Sequence, residues 1–318
     1  MGDNLQYLPL GNTGLTVSRL CFGALTIGPL QASLPLAEGV RVLEAALDGG
    51  VNFIDTAELY QTYPYIRQAV RRRRQRVIIA SKSYAYTYEG MRQSVQKALK
   101  ELDTDYIDIF LLHEQEAQTI RGHWPAVEFL MDAVAAGYVR CIGISTHSVA
   151  AVRAAAVIPE IQVIHPIFNR AGVGIKDGTP DDMLAAIQMA VDRGKGIYAM
   201  KALGGGHLLA DVPAALDFVL RRPEIAAVAV GMQSTAEVEC NLALFSGRPV
   251  PRALFQKLRR KKRRLLVEDW CQGCGNCVAA CSAGALRLVD GRAVVDQDRC
   301  RLCGYCGASC PEMCLKII

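Results

Sequence analysis

Short apolar runs alternate with longer amphipathic ones along the first 250 residues. The strand-like runs are RLCFGA, VNFIDT, VIIASK, YIDIFLLH, VRCIGIS, IQVI, GIYAMK and AAVAVG. Between them, apolar positions recur at helical spacing near 35–48, 63–74, 88–102, 125–136, 148–156, 180–193, 213–220 and 235–245. Eight βα units of this kind predict an α/β fold, a (β/α)8 TIM barrel. Nearly continuous apolar strands such as IDIFLL fit a parallel sheet buried on both faces. Ahead of the first unit, LQYLPL-GNTG-LTVSRL predicts a hairpin that closes the bottom of the barrel.

In such a barrel, polar residues at the carboxyl ends of strands are the ones that carry chemistry. Strand two ends at Asp55, strand three at Lys82 and strand four at His113, and Tyr60 follows in the loop after Asp55. Taken singly, a strand-end histidine is more often satisfied structure and a lysine is usually solvated. Four such groups at the ends of consecutive strands predict a site.

The pattern changes near the carboxyl end, where the cysteines gather. Nine of the twelve cysteines lie between Cys271 and Cys314. They read Cys271-x2-Cys274-x2-Cys277-x3-Cys281, then Cys300-x2-Cys303-x2-Cys306-x3-Cys310-Pro311, the second run repeating the first 29 positions later. A repeat of this kind argues for two equivalent sites. Zinc sites show paired CxxC units, not a run of three cysteines with a fourth after three residues. Gly273, Gly275, Gly304 and Gly307 allow a tight backbone path among the thiols. ALRLVDGRAVVD, between the runs, predicts a hairpin turning at Asp290-Gly291. Cys21, Cys141, Cys240 and Cys314 remain outside this pattern and are expected to be ordinary thiols.

This stretch, residues 269–318, resembles the bacterial two-[4Fe-4S] ferredoxin pattern, in which the last cysteine of each run crosses to the other cluster. The resemblance implies one cluster on Cys271, Cys274, Cys277 and Cys310, and a second on Cys300, Cys303, Cys306 and Cys281. Ser282 stands where the first run normally carries Pro. So small a module needs its clusters for much of its stability.

LGNTGLTVSRLCFG, NFIDTAELY, IIASKS, LLH, GIS and GMQSTAEVECN resemble the aldo-keto reductase family over residues 5–245. The resemblance implies a catalytic tetrad of Tyr60, Lys82, Asp55 and His113. Reducing a carbonyl needs a hydride on carbon and a proton on oxygen. Tyr60 would donate the proton, and the Lys82 cation, held by Asp55, would lower the phenol's pKa. His113 would orient the carbonyl oxygen or share the proton. No GxGxxG opens a helix after the first strand, so a Rossmann site is not indicated. The family instead lays an extended NAD(P)H across the barrel mouth. By resemblance, Ser145 and Gln162 would hold the carboxamide, and the stretch Leu203, Gly204, Gly205, Gly206 would pass under the pyrophosphate. Gly231, Gln233, Ser234 and Asn241 would line the adenosine end. Met200 stands where an aromatic ring often stacks on the nicotinamide, and Thr146 where Asn is frequent. Glu237 falls about where an Arg commonly grips the 2′-phosphate, which tilts the expectation towards NADH.

Charge adds two details. Lys and Arg number 36 against 31 Asp and Glu, a formal +5. Arg71–Arg74 with Arg76 is expected to be a solvated helix end. A second run, Lys257 with Arg259, Arg260, Lys261, Lys262, Arg263 and Arg264, is expected to be a solvated helix packing on Leu254, Leu258 and Leu265. A docking surface for an acidic electron-transfer partner is its second reading. No nucleic-acid-binding fold accompanies it, so a nucleic-acid partner is not expected. Neither a signal peptide nor a membrane span is legible, and the protein is expected to be cytoplasmic.

The expected organisation is therefore a barrel over 1–250, a basic helical linker over 251–268 and a ferredoxin-like α+β domain over 269–318. The function expected is NAD(P)H-dependent reduction of a small-molecule carbonyl, with an iron–sulfur electron-transfer module. Hydride carriers move two electrons and clusters one, and no flavin joins them. One alternative is therefore direct single-electron reduction by the clusters. Another is a non-catalytic electron-transfer or scaffold protein, which the intact tetrad disfavours.

Overall fold

The computed structural model describes residues 5–259 and 262–318. A hairpin of β1 (Tyr7–Pro9) and β2 (Thr16–Ser18) comes first. Eight parallel strands then close a barrel. They are β3 (Leu20–Gly23), β4 (Phe53–Asp55), β5 (Ile78–Ser83), β6 (Ile107–Leu112), β7 (Val139–Thr146), β8 (Val163–Pro166), β9 (Gly196–Met200) and β10 (Ala227–Gly231), the last pairing with the first. Outside them lie α1 (Leu36–Asp48), α2 (Tyr63–Val70), α3 (Tyr88–Leu102), α4 (Ala117–Gly122), α5 (Trp124–Ala135), α6 (Val149–Ala156), α7 (Pro180–Val191), α8 (Val212–Leu220) and α9 (Thr235–Phe245). All eight helices expected from the periodicity are present. The additional one, α4, is a short turn in the loop after β6, too brief to show a period.

Side chains of alternate strand positions fill the barrel axis, among them Cys21, Phe53, Ile109, Cys141 and Tyr198. Leu10, Leu15 and Val17 of the hairpin join this cluster from below, as expected of a bottom plug. The helices seat a second, larger cluster against the outer face of the strands. Side-chain caps start five of the helices: Thr87, Ser148, Thr179, Asp211 and Ser234 each accept the amide three residues on.

Arg74 departs from the expectation of a solvated helix end. It donates to Asp108 at 2.9 Å and stacks 4.2 Å over the Tyr106 ring. Asp108 is 1% exposed and also accepts from Arg140 and the Ile79 amide. Truncating Arg74 leaves this buried carboxylate with one guanidinium. Arg74→Ala is therefore expected to cost about 1–3 kcal/mol of stability, read from the urea midpoint.

Beyond α10 (Arg252–Arg259) come β11 (Leu265–Val267), α11 (Asn276–Ala279), β12 (Leu286–Val289), β13 (Arg292–Val295), α12 (Tyr305–Ala308) and β14 (Leu315–Ile317). β12 and β13 form the expected hairpin, with Asp290 and Gly291 both at positive φ. β11 pairs antiparallel with β14, Leu265 opposite Ile317. The small domain thus includes residues placed in the linker from sequence, and Leu265 is a strand residue rather than part of a helix. Arg260 and Lys261 of the basic run lie outside the described residues.

The 29-residue repeat is also a backbone repeat. Gly275 and Gly304 open α11 and α12 at φ of 81° and 87°. Gly273 and Leu302 are left-handed at 64° and 50°, and Gly284 and Met313 at 58° and 50°. Met313 takes without a glycine a conformation that disfavours side chains, a cost its contacts must offset.

Candidate functional site

Asp55, Lys82 and His113 close consecutive strands at the carboxyl end of the barrel, and register brings the first two together. Asp55 is level with Ala80, so Lys82 lies two residues further along the same inward face. Lys82 Nζ donates to Asp55 Oδ1 and Oδ2 at 2.8 Å each and to the Thr56 carbonyl at 2.8 Å. Lys82 is 1% exposed, so its charge is neutralised where water cannot reach it. Tyr198 of β9 donates to Asp55 Oδ1 at 3.0 Å. His165 of β8 stacks on Tyr198 at 3.8 Å, with its Nδ1 2.6 Å from the Tyr198 carbonyl. Of these two inward residues, Tyr198 sits inside the apolar run GIYAMK, and His165 directly follows the run IQVI.

Tyr60 lies on a short turn after β4, its ring 4.9 Å from Lys82 Nζ and edge-on to His113 at 5.8 Å. Burial, then the Asp55 and Glu114 carboxylates, push the Tyr60 phenol well above its ordinary pKa. This reverses the expectation that Lys82 would lower it: the lysine's charge is directed at Asp55. Tyr60 is therefore a protonated phenol, suited to donate. Burial, with Lys82 and Lys201 nearby, holds His113 well below its usual range, so the imidazole is neutral. Its Nδ1 is buried without a partner. Tyr84 stacks on His113 at 4.2 Å and donates to Glu114 at 2.6 Å, forming an outer wall over the imidazole. Trp124 opens α5 and packs on the barrel's outer core.

The residues expected to hold a dinucleotide separate into groups. Ser145, at the end of β7, accepts from the Glu114 amide at 2.9 Å. Gly231 ends β10, and Ser234 caps α9. Glu237 accepts from the Gln233 amide at 2.6 Å, and Asn241 donates to the Glu237 carbonyl at 2.8 Å. Gln162 immediately precedes β8, and its side chain accepts from the Ile142 amide at 3.2 Å.

Leu203–Gly206 is covered by the carboxyl-terminal domain. A Cβ on Gly206 would collide with the Ile317 carbonyl, and one on Gly205 would lie 3.0 Å from Met313 Cε. His207 Nε2 lies 2.8 Å from the Leu315 carbonyl, and its ring fills the space above Gly307. Met313 is 1% exposed and belongs to the barrel's outer core. That burial accounts for a methionine at a left-handed position where the first repeat has glycine. The carboxyl-terminal domain thus packs on the stretch expected to pass under the pyrophosphate.

In the small domain, one cavity is lined by Cys271, Cys274, Cys277 and Cys310, with Cys314 also on its wall, and another by Cys281, Cys300, Cys303 and Cys306. Each set takes three thiols from one run and the fourth from the other. Backbone amides face three of the sulfurs: Ala293 to Cys271, Ala285 to Cys281 and Cys314 to Cys310. All-thiolate rings with amide donors suit iron–sulfur cages. Among the described residues, no three His, Cys, Asp or Glu side chains converge as for a single metal ion.

Barrel, polar mouth and thiol-lined appendage define an oxidoreductase class of protein. The aldo/keto reductase family model matches residues 19–213, and that of the 4Fe-4S dicluster domain matches 264–311. The chain belongs to the aldo/keto reductase family and carries a 4Fe-4S domain at its carboxyl end. It is 26% identical to the aldo-keto reductase YhdN of Bacillus subtilis over 52% of this chain and 54% of that one. The aligned stretch thus spans about half of that relative's length. It is 25% identical to L-galactose dehydrogenase of Arabidopsis thaliana, over 75% of this chain and 88% of that protein. The holo form of aldo-keto reductase AKR11C1 from Bacillus halodurans superimposes with a TM-score of 0.66 at 22% identity, covering 80% and 96% of the two chains. Among the described residues, no helix is long and apolar enough to cross a membrane.

Proposed function

We propose that the protein is a cytoplasmic oxidoreductase that reduces the carbonyl of a small molecule at Tyr60, Lys82, Asp55 and His113. The observation that carries this reading is the buried Lys82–Asp55 pair beside a protonated phenol and a neutral imidazole. Tyr60 gives its proton to the carbonyl oxygen, and His113 orients that oxygen. Asp55, steadied by Tyr198, holds Lys82 at the site. Two [4Fe-4S] clusters are held by the two four-cysteine rings. NAD(P)H is the reductant that family membership implies, with the Glu237 carboxylate favouring NADH. A bound nicotinamide supplies a hydride, and reduced iron–sulfur clusters supply single electrons.

A second reading has one specific observation in its favour: the carboxyl-terminal domain is seated on Leu203–Gly206. Under it, the electrons reach the substrate from the iron–sulfur side, and nicotinamide binds only when that domain lifts. Anaerobic holoprotein, assayed on an aldehyde panel with NADH, NADPH or titanium(III) citrate, separates the two. Turnover with a pyridine nucleotide alone supports hydride transfer. Turnover with titanium alone supports the second reading, and none with any donor removes both.

A further inference from the structure

On the rim of the barrel mouth, Lys201 makes no salt bridge among the described residues, and burial, with Lys316 nearby, lowers its pKa to about 7. Lys201 follows β9 at φ 58°, and its Nζ lies 2.8 Å from His147 Nε2. That is the only partner of its ammonium among the described residues. The neighbouring cations are all matched: Lys82 by Asp55, Lys316 by Glu268, and Lys176 by Glu116 and Glu312. His147 holds Lys201 as a neutral acceptor, since burial and the surrounding lysines keep its pKa well below the usual range. Glu114 lies 3.8 Å from His147 but spends its other oxygen on the Tyr84 hydroxyl.

These side chains form a continuous arc along the mouth. Tyr60 meets His113, His113 meets Tyr84, Tyr84 meets Glu114, Glu114 meets His147, and His147 meets Lys201. A molecule with its carbonyl at Tyr60 therefore has Lys201 on the same rim. The buried Nδ1 of His113 likewise has no hydrogen-bond partner among the described residues. An amine whose pKa burial has lowered is drawn back to its charged form by an anion, and a hydrogen-bonded charge pair at such a depth is among the stronger contacts. One ammonium with Glu114 close by suits a monoanion better than a dianion.

We infer that Lys201, positioned by His147, is the specificity residue for the carbonyl substrate, and that the substrate carries a carboxylate. This deepens the carbonyl-reductase reading and rests on it for the position of the reacting carbon. A phosphate of a bound dinucleotide is the other anion that could reach the same ammonium, and the test separates the two.

The probes are glycolate and 4-hydroxybutanoate, alcohol products that carry a carboxylate at two chain lengths. Their binding to anaerobic holoprotein is measured by titration calorimetry, with NADPH titrated in parallel. At least one hydroxy acid is expected to bind, with its Kd raised roughly tenfold or more in Lys201→Gln and restored in Lys201→Arg. The Kd for NADPH is expected to be the same in all three proteins. No binding of either acid by the wild type overturns the inference, as does an unchanged Kd in Lys201→Gln. Loss confined to NADPH assigns the ammonium to the dinucleotide and likewise overturns it. Because binding is read without turnover, a failure of the catalytic reading shows separately, as undiminished reduction by a Tyr60 variant.

Discussion

Replacing Tyr60 by Phe is expected to lower kcat/KM for carbonyl reduction by about 10²–10⁴-fold, with the melting temperature unchanged. The carbonyl oxygen must gain a proton as its carbon is reduced, and the buried phenol is the donor beside it. Its pKa is raised by burial and by two carboxylates, so the hydroxyl is protonated throughout the neutral range. Phenylalanine keeps the ring that meets His113 at 5.8 Å and Lys82 at 4.9 Å. Removing the hydroxyl therefore subtracts the proton and little of the packing. Steady-state assays with the donor that supports turnover, beside thermal melts, check both halves. Wild-type turnover by the variant excludes Tyr60 as the donor. A lowered melt would instead give the hydroxyl a structural role.

The barrel was legible because its strands are continuous apolar runs and its helices keep one apolar stripe, so period and length both point one way. That Asp55, Lys82 and His113 share one end of the barrel was legible because polar groups closed three strands in succession. The second layer was not: Tyr198 and His165 occupy inward positions that alternation assigns to core, and only closure of the barrel puts them under Asp55. The cysteine repeat foretold two equivalent sites, and the backbone repeats down to its left-handed positions, yet nothing local distinguishes Met313 from a surface residue. Its place becomes intelligible only when Gly174, Gly205 and Gly206 are seen to leave room for it and for β14. Contacts between residues more than a hundred positions apart carry no periodic signal.

Stripping iron from the holoprotein with a chelator under mild oxidation is expected to unfold residues 265–318 and leave the barrel folded. The small domain buries few side chains of its own, and several of those are cysteines. Metal–thiolate bonding contributes on the order of 10 kcal/mol in small metallodomains, as much as the whole stability of many ordinary ones. Without it, neither the β11–β14 pair nor the left-handed Met313 has a scaffold, and the His207–Leu315 hydrogen bond goes with them. Hydrogen exchange read by mass spectrometry should show full loss of protection at Leu315–Ile317 and retained protection in β5 to β7. The shelf at Leu203–Gly206 is then uncovered, so NADPH should bind the stripped protein more tightly than the holoprotein. Retained protection of β14 after iron loss would show that the domain stands on its own core. Equal NADPH affinity before and after would show that the seated domain does not obstruct the dinucleotide, and the case for electrons entering from the iron–sulfur side would lose its one structural support.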